Sequence, residues 1–480
     1  MKEKTQFSTA LWTVIGLAIT FAGSIGLGNP MAKVLSIFLG SLILWIQVGI
    51  DWPCLVTLLA LGWMPQFGFA KTFTGAFGNS TVAFLIFTFA LVCPLGKTTF
   101  VRRCTLAFLD NPMARRGKWG FLYLLFASVV FMGLFISPSV LFVAFLPFLE
   151  DMLAMLNVEK GSRDGSMIMF STAFLINLSS GMTTIGHVWP TLALGYYSSA
   201  TGNSVSALAY SAFGVPIGIV LFLLLMLVLR FWYKPELSFE VDWEGLDRMR
   251  KNLPPVSRTE KKILITLGCV IGLWILPGLL RGILPGIYDA VNGMTTAFPP
   301  LWGCAMLFIS SDEKGESILN FREVTSNGIL WGAVLMTGTA TWLGACLTNE
   351  EIGLTLWLKE TLSPISAALL PLLLVAFFVT WAILETNFSS NIVTTTVVST
   401  MVVTVVSAME NMNLAAVLSL IGFSAAICNM TPAGQSTINT VAIGSGWTST
   451  RDMFKWGGVF ALLAILTLTI IGYPVACASM

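Results

Sequence analysis

Long apolar stretches separated by short polar segments run along the whole chain. Most of these stretches contain about 20 residues, which is the length that an α-helix needs to cross the hydrocarbon core of a bilayer. The pattern therefore predicts an all-α polytopic membrane protein with about eleven membrane-spanning helices. The predicted spans lie near residues 10–28, 32–50, 53–70, 79–98, 165–200, 206–232, 262–283, 291–311, 325–347, 412–447 and 453–476.

Two further apolar segments, 119–155 and 362–409, are too long for one span each, and polar residues interrupt both of them near the middle. The interruptions are "ISPS" in the first segment and "NFSSN" in the second. Each segment either crosses the membrane twice or forms a re-entrant helical hairpin. Both interpretations return the chain to the side from which it came, so they predict the same topology for the remaining spans.

The composition agrees with a membrane protein. Hydrophobic residues make up 56% of the chain and charged residues 10%, whereas soluble domains contain about 25% charged residues. The net charge of +2 gives no reason to expect a nucleic-acid partner. Eight cysteines are scattered without a CxxC spacing, so we expect them to pack as small apolar residues rather than to bind a metal ion or form disulfides.

The basic residues indicate the orientation of the chain. With the N-terminus inside, 22 of the 26 Lys and Arg residues fall on the inner side of the predicted topology, as the positive-inside rule requires. The sequence therefore predicts a multi-pass protein of the plasma membrane with a cytoplasmic N-terminus and an extracytoplasmic C-terminus. It also places hairpin 119–155 on the inner side and hairpin 362–409 on the outer side.

The same order of elements occurs twice. A span, a hairpin, an interrupted span and a further span follow one another in each half, with opposite orientation in the second half. The interrupted spans contain the similar sequences "INLSSGMT" (176–183) and "CNMTPAGQST" (428–437). An inverted repeat with one interrupted helix per half is typical of secondary transporters. The predicted divisions are an N-terminal helix at 1–30, a first repeat at 31–233, a cytoplasmic loop at 234–261 and a second repeat at 262–480.

The interruptions supply polar chemistry at membrane depth. In "NLSSGMTTIGHVWPT" (177–191), Gly181 and Gly186 let the chain leave helical geometry, and Pro190 suits the start of a new helix. Freed carbonyl groups favour a cation such as Na⁺, and freed N–H groups favour an anion. The alternative is that the serine and threonine residues only pack helices together.

These motifs resemble those of the divalent anion–sodium symporter family, within the wider ion-transporter superfamily. "ETNFSSNIVTTTVVSTMVV" (385–403) is similar to the tip of the family's second hairpin. "SGMTTIGHV" (180–188) and "INTVAIGSGWTSTRDMFKWGG" (438–458) resemble segments at its two helix breaks. The resemblance implies a homodimer of scaffold and transport domains, an elevator-type motion, and transport of dicarboxylates, citrate or sulfate together with Na⁺, without an organic cofactor.

The resemblance also implies which residues bind substrate and ion. The implied substrate-binding residues are Ser137, Ser139, Thr184, His187, Ser390, Asn391, Thr431, Pro432, Ser436 and Thr437. The implied Na⁺ ligands are Thr386, Ser389, Asn391 and a carbonyl near Thr431 in the second half, and Ser137 and Gly181 in the first half. Two departures from the family pattern are Pro138, where the first tip should carry asparagine, and Ile392, where the second should carry threonine. We therefore expect the second ion site to be the better preserved.

Two single ionisable residues stand out deep inside the predicted membrane segments, one in the first break and one in the second hairpin. His187, the only histidine, is expected either to contact an anionic substrate or to cap backbone carbonyls as a neutral imidazole. Glu385 either lies near an ion site or has a structural role inside its hairpin. The chain lacks an HExxH motif and paired intramembrane aspartates, so we expect no enzyme. The leading hypothesis is a Na⁺-coupled anion symporter, and the alternatives are a Na⁺-independent anion exchanger or a sodium/proton antiporter on the same fold.

Overall fold

The computed structural model describes residues 2–280, 295, 297–366 and 371–480. The described residues form helices, joined by short loops, with one isolated β-bridge between Ser311 and Ser317. The predicted ends of two spans, at 281–283 and 291–294, and the hairpin residues 367–370 lie outside the described residues.

The helices of the first half cover most of residues 2–251. They are α1 (Lys2–Gly26), α2 (Pro30–Gln47), α3 (Trp52–Gly62), α4 (Gly68–Phe77), α5 (Ser80–Val92), α6 (Phe100–Leu109), α7 (Lys118–Gly133), α8 (Pro138–Met155), α9 (Arg163–Gly181), α10 (Val188–Thr201), α11 (Ala207–Val228) and α12 (Trp243–Lys251). A 3₁₀ turn, Cys93–Lys97, extends α5, and a π turn, Leu229–Tyr233, extends α11.

The helices of the second half begin at residue 258. They are α13 (Arg258–Leu280), α14 (Phe298–Ile309), α15 (Trp331–Thr348), α16 (Leu354–Ser366), α17 (Pro371–Phe388), α18 (Asn391–Val406), α19 (Leu414–Ser424), α20 (Ser436–Gly444), α21 (Thr450–Thr467) and α22 (Tyr473–Ser479). A short helical segment, Phe321–Gly328, precedes α15 and is bent from it by 69°.

The two predicted helix breaks are present in the structure. α9 and α10 are separated by residues 182–187, and α19 and α20 by residues 425–435. The first break is therefore shorter than the polar stretch 177–191 from which it was predicted, because Asn177 to Gly181 remain helical. The order of helices in the two halves agrees with a repeat, while the inverted orientation of the second half stays a prediction.

Both long apolar segments form pairs of helices. α7 and α8 are joined at residues 134–137, and Pro138 occupies the first position of α8, where its missing N–H costs no helical hydrogen bond. α17 and α18 are joined at Ser389 and Ser390, and Ser390 is the N-cap of α18. Residues 362–366 of the second predicted segment belong to α16, and the described part of the second pair begins at Pro371. Whether the pairs are re-entrant stays a prediction.

One predicted span is interrupted where none was expected. Residues 53–70 contain most of α3 and the start of α4, which are two separate helices instead of one continuous helix. Pro65 lies between them and lacks the N–H that a continuous helix needs. Gly68 has a φ of +65°, which only glycine adopts without strain.

Length and composition support a membrane location. Six helices of the described residues are long and apolar enough to cross a membrane, and a seventh span results if the bent pair Phe321–Gly328 and Trp331–Thr348 counts as one. The other apolar helices have 10–17 residues, and a break or a hairpin tip bounds four of them, α3, α7, α18 and α19. The total of eleven spans therefore stays a prediction.

The charged segment at 234–261 contains a helix that the sequence analysis did not predict. α12 packs beside the end of α6 and the start of α7. Asp110 and Arg250 form an ion pair, Arg115 lies 3.7 Å from Asp247, and the Arg115 guanidinium lies over the ring of Trp243. These contacts hold the charged segment against the first half of the chain.

Candidate functional site

A cavity of ≈ 380 Å³ lies where the two hairpin tips meet the two helix breaks. Residues from both halves of the chain form its wall, although they are far apart in sequence. The lining residues are Phe89, Val92, Cys93, Ser137, Ser139, Val140, His187, Trp189, Asn327, Gly328, Leu330, Ser390, Asn391, Ile392, Gln435 and Thr437.

Four of the described helices begin at this cavity. The N-cap residues of α8, α10, α18 and α20 are Ser137, His187, Ser390 and Gln435, and all four line the wall. None of these side chains caps its own helix. The first N–H groups of an α-helix have no partner within the helix and carry a partial positive charge. The four helix starts therefore favour partial positive charge at the cavity, although no lysine or arginine of the described residues lines it.

Side chains satisfy the backbone of the first break. The Thr183 hydroxyl donates to the carbonyl of Leu134 in the first hairpin tip, at 2.6 Å, and accepts from the N–H of Gly186, at 3.1 Å. The Tyr210 hydroxyl on α11 donates to the carbonyl of Gly181, at 2.8 Å. Such partners are required because water is absent from the bilayer core. They also fix the break against the first hairpin.

Two asparagines satisfy the second break. The Asn387 amide donates to the carbonyl of Ile427 and accepts from the N–H of Met430, both at 2.7 Å. The Asn439 amide donates to the carbonyl of Cys428, at 2.8 Å. Asn387 and Asn439 are fully buried. The sequence analysis missed both, although polar residues within the apolar segments 371–388 and 436–444 were a usable signal.

A set of oxygen-bearing groups converges beside the second hairpin tip. The Thr386 hydroxyl and the Asn391 amide nitrogen both donate to the carbonyl of Ala425, each at 3.1 Å. Rotation of the Asn391 amide by half a turn would present its oxygen in place of the nitrogen, since the two atoms have nearly the same shape. The three groups would then offer a hydroxyl, a carbonyl and an amide oxygen. Hard cations prefer such ligands.

The position of this set differs from the prediction in one respect. The predicted set includes a carbonyl near Thr431, whereas Thr386 and Asn391 donate to the carbonyl of Ala425 here; a ligand role for the Thr431 region stays a prediction. The Thr431 hydroxyl donates to the carbonyl of Asn387. Among the described residues there is no group of three or more His, Cys, Asp or Glu side chains that fits a metal ion, so neutral oxygens are the available ligands.

The first half lacks an equivalent set. Pro138 has no polar side-chain atom, and the Gly181 carbonyl already accepts the Tyr210 hydroxyl. Ser137 lines the cavity without capping α8. The residues implied as first-half ion ligands are therefore not arranged like Thr386, Asn391 and Ala425.

The structure brings only part of the implied substrate-binding set to the cavity. Thr184 lines a separate, smaller cavity of ≈ 40 Å³ together with Thr81 and Ser198, because its position in the break turns it toward α5. The implied residues on the cavity wall are Ser137, Ser139, His187, Ser390, Asn391 and Thr437.

The remaining implied residues lie nearby. Thr431 and Pro432 belong to the second break without lining the cavity, and Ser389 is at the second tip. Ser436 begins α20, but its side chain lies outside the described part of the structure. The sequence analysis also missed the wall formed by α5 and the segment before α15, because nothing in those sequences distinguishes them from other apolar spans.

His187 lines the cavity, and its ring packs against an aromatic neighbour. Its ring lies 4.0 Å from the ring of Trp189, measured between centroids. Its Nδ1 atom has no hydrogen-bond partner, and its side chain does not cap α10. Contact with an anionic substrate and capping of backbone carbonyls both stay predictions for His187. Glu385, by contrast, does not line the cavity.

Comparison with known proteins agrees with this architecture. SdcS, a sodium-dependent dicarboxylate transporter of Staphylococcus saprophyticus, is 23% identical over 417 residues, covering 83% of this chain and 76% of that protein. A citrate/succinate antiporter of Escherichia coli K12 is 20% identical over 328 residues, covering 66% of this chain and 62% of that protein.

A solved structure supports the fold. The crystal structure of the YdaH transporter of Alcanivorax borkumensis matches with a TM-score of 0.53 and 14% identity, covering 93% of this chain and 98% of that one. The family described as "Sodium:sulfate symporter transmembrane region" matches residues 3–476, which confirms the resemblance that the motifs indicated. The chain therefore belongs to the sodium:sulfate symporter family, whose members are membrane transporters and not enzymes.

Proposed function

We propose that the protein is a secondary active transporter that couples uptake of a small divalent anion, such as a di- or tricarboxylate, to Na⁺. The observation that carries this proposal is the convergence of four helix N-termini on one cavity that no lysine or arginine of the described residues lines. The dicarboxylate and citrate/succinate transporters among the relatives point to the same class of substrate.

The helix N-termini suit a divalent anion in particular. Each N-terminus is equivalent to roughly +0.5 elementary charge, so four of them supply about two positive charges. An anion that leaves water needs hydrogen-bond donors in exchange for its hydration shell. The free N–H groups, the hydroxyls of Ser137, Ser139 and Ser390, and the Gln435 amide provide such donors.

Na⁺ binding at Thr386, Asn391 and Ala425 would support the anion site directly. Asn391 belongs to both sites, because it lies beside Ala425 and also lines the cavity. An ion there would fix the second hairpin tip and place a positive charge beside the anion. Because the first half lacks such a set, we propose fewer coupled ions than in a transporter with two intact tips.

An elevator motion is consistent with the two kinds of wall around the cavity. The tips and breaks form one side, and α5 with the segment before α15 forms the other. Cys93 and Asn327 lie close in sequence to Lys97 and Arg322, which the basic-residue distribution assigns to the inner side. We propose that the tips and breaks move as one body against these helices, and that the cavity here is nearest the cytoplasm.

A Na⁺-independent anion exchanger is the second candidate. The engaged Gly181 carbonyl and Pro138 favour it, since both reduce the capacity of the first half to bind an ion. The citrate/succinate antiporter among the relatives offers a precedent. A sodium/proton antiporter of the same superfamily is less consistent with the electropositive cavity.

Uptake by the purified protein tests the proposal. In proteoliposomes, we expect saturable uptake of at least one of succinate, citrate and sulfate, and an inward Na⁺ gradient should raise its rate over an equal K⁺ gradient. Uptake that ignores Na⁺ but requires an anion inside the vesicle would favour the exchanger. No uptake of any divalent anion would contradict the proposed substrate class.

The Na⁺ dependence of uptake should come from the ligands in the second half of the chain. Asn391→Ala removes one oxygen ligand, so we expect the Na⁺ concentration for half-maximal uptake to rise about tenfold or more, since about 1.4 kcal/mol corresponds to a factor of ten. Pro138→Ala is the matched control at the first tip, and its Na⁺ dependence should stay close to that of the parent. Equal effects of the two substitutions would rule out a dominant second-half site.

Anion affinity should depend on His187 and not on Thr184. A hydrogen bond to a charged group contributes about 1.5–3 kcal/mol, so His187→Ala should raise the half-saturating anion concentration about 10- to 100-fold. His187→Gln keeps a donor and should have a smaller effect. Thr184→Ala, outside the cavity, should change it by less than about twofold by the same reasoning. A stronger effect of Thr184→Ala than of His187→Ala would contradict the assigned cavity.

A further inference from the structure

Two buried asparagines join the first interrupted helix to the break of the second. The Asn177 amide nitrogen donates to the Asn429 side-chain oxygen at 2.9 Å, and both residues are fully buried. Asn177 lies on α9, four residues before its end, and Asn429 lies in the second break. They occupy the same position in the similar sequences "INLSSGMT" and "CNMTPAGQST". The hydrogen bond therefore links equivalent points of the two halves.

The two interrupted helices touch each other directly around this pair. A Cβ atom placed on Gly181 would lie 2.7 Å from the Cβ of Ala426, and one placed on Gly422 would lie 2.8 Å from the Cα of Pro190. Real Cβ atoms do not approach other atoms so closely, so only glycine fits at both positions. Because no side chain separates the two helices there, displacement of one helix displaces the other as well.

The second break connects the cation-binding groups to Asn429. Ala425 supplies the carbonyl that Thr386 and Asn391 contact, and it lies four residues before Asn429. Asn387 binds the backbone on either side of Asn429, at Ile427 and Met430. A cation that attracts the Ala425 carbonyl would therefore also shift the segment that contains Asn429.

The first break connects Asn177 to the anion cavity. The Ser180 hydroxyl donates to the Asn177 carbonyl at 2.6 Å, so Asn177 lies within the last turn-and-a-half of α9 before the break. Thr183 then bonds the break to Leu134 in the first hairpin tip, and the break ends at His187 on the cavity wall. The position of Asn177 thus sets the position of His187 relative to the second half.

The pair is only half satisfied. Two amides that face each other can form two hydrogen bonds, but the Asn177 oxygen and the Asn429 nitrogen both lack a partner. A pair kept only for stability would form both bonds, because a buried polar atom without a partner is destabilising. One bond leaves the pair free to adjust when either break moves.

We propose that Asn177 and Asn429 are positioning residues that couple Na⁺ binding in the second half to anion binding in the cavity. This proposal rests on the proposed function, since it requires a Na⁺-dependent anion transporter. Coupling is reciprocal and is measured as the factor by which one ligand changes the affinity for the other. The pair sets that factor without touching either ligand.

The test compares Asn177→Leu, Asn429→Leu and the double variant with the parent. Leucine is close to asparagine in shape, and replacing both partners by apolar groups can be nearly neutral for stability, whereas one unpaired amide is costly. Ser171→Ala is the matched control, because Ser171 is also fully buried on α9 with an unpartnered hydroxyl. Succinate, citrate and sulfate uptake by proteoliposomes is measured at low and at saturating Na⁺, and the thermal midpoint of each purified variant is measured in parallel.

We expect Na⁺ to lower the half-saturating anion concentration of the parent and of Ser171→Ala by the same factor. In both single variants and in the double variant that factor should fall at least about fivefold, which corresponds to the lower end of typical coupling free energies. The thermal midpoint of the double variant should lie closer to the parent's than those of the single variants do. A reduced Na⁺ factor in the double variant, together with a thermal midpoint close to the parent's, would distinguish a loss of coupling from a loss of stability.

Two outcomes overturn the inference in distinguishable ways. If the double variant folds and keeps the parent's Na⁺ factor, the pair does not couple the sites, while the proposed function stands. If the parent itself shows no Na⁺ factor, the proposed function and the coupling role fail together. Should the single variants not fold, the double variant alone decides, since it contains no unpaired amide.

Discussion

Backbone groups at membrane depth must be hydrogen-bonded, and this constraint determines the structure of the site. Two helices are interrupted within apolar segments, at residues 182–187 and 425–435, where the bilayer offers no water to the freed groups. The protein treats the two kinds of freed group differently. Side chains of Tyr210, Asn387 and Asn439 bind carbonyl groups of the breaks, whereas no side chain caps the N–H groups at the starts of α10 and α20, beside the cavity.

In the proposed function, this difference favours an anion in the cavity. The uncapped helix starts would contribute hydrogen-bond donors and partial positive charge to the wall. A positive field built from backbone does not need a lysine or arginine, whose long charged side chains are costly to bury in a membrane. The exception is the carbonyl of Ala425, which two side chains share beside the second tip. In the proposed function, the cation site and the anion site would therefore share one residue, Asn391.

The sequence was informative at the residues that interrupt its apolar stretches. Glycine, proline and hydroxyl residues inside apolar stretches located both breaks and both hairpin tips, because such residues are costly in a continuous membrane helix. It was uninformative for the opposite wall, since Phe89, Val92 and Leu330 look like ordinary lipid-facing or core residues until the chain is folded. The place of Thr184 was equally hard to predict: it lies three residues before His187, which lines the larger cavity, but Thr184 itself lines the smaller cavity beside α5.

The central claim is that an anion binds between the four helix N-termini. Its most direct test is a cryo-electron microscopy structure of the protein in lipid nanodiscs with Na⁺ and the anion that the uptake assay identifies. The account predicts anion density within hydrogen-bond distance of the N-terminal N–H groups of α8, α10, α18 and α20, in contact with Ser137, His187, Ser390 and Gln435. Density for the anion at any other place, with this cavity closed or filled only by side chains, would contradict it.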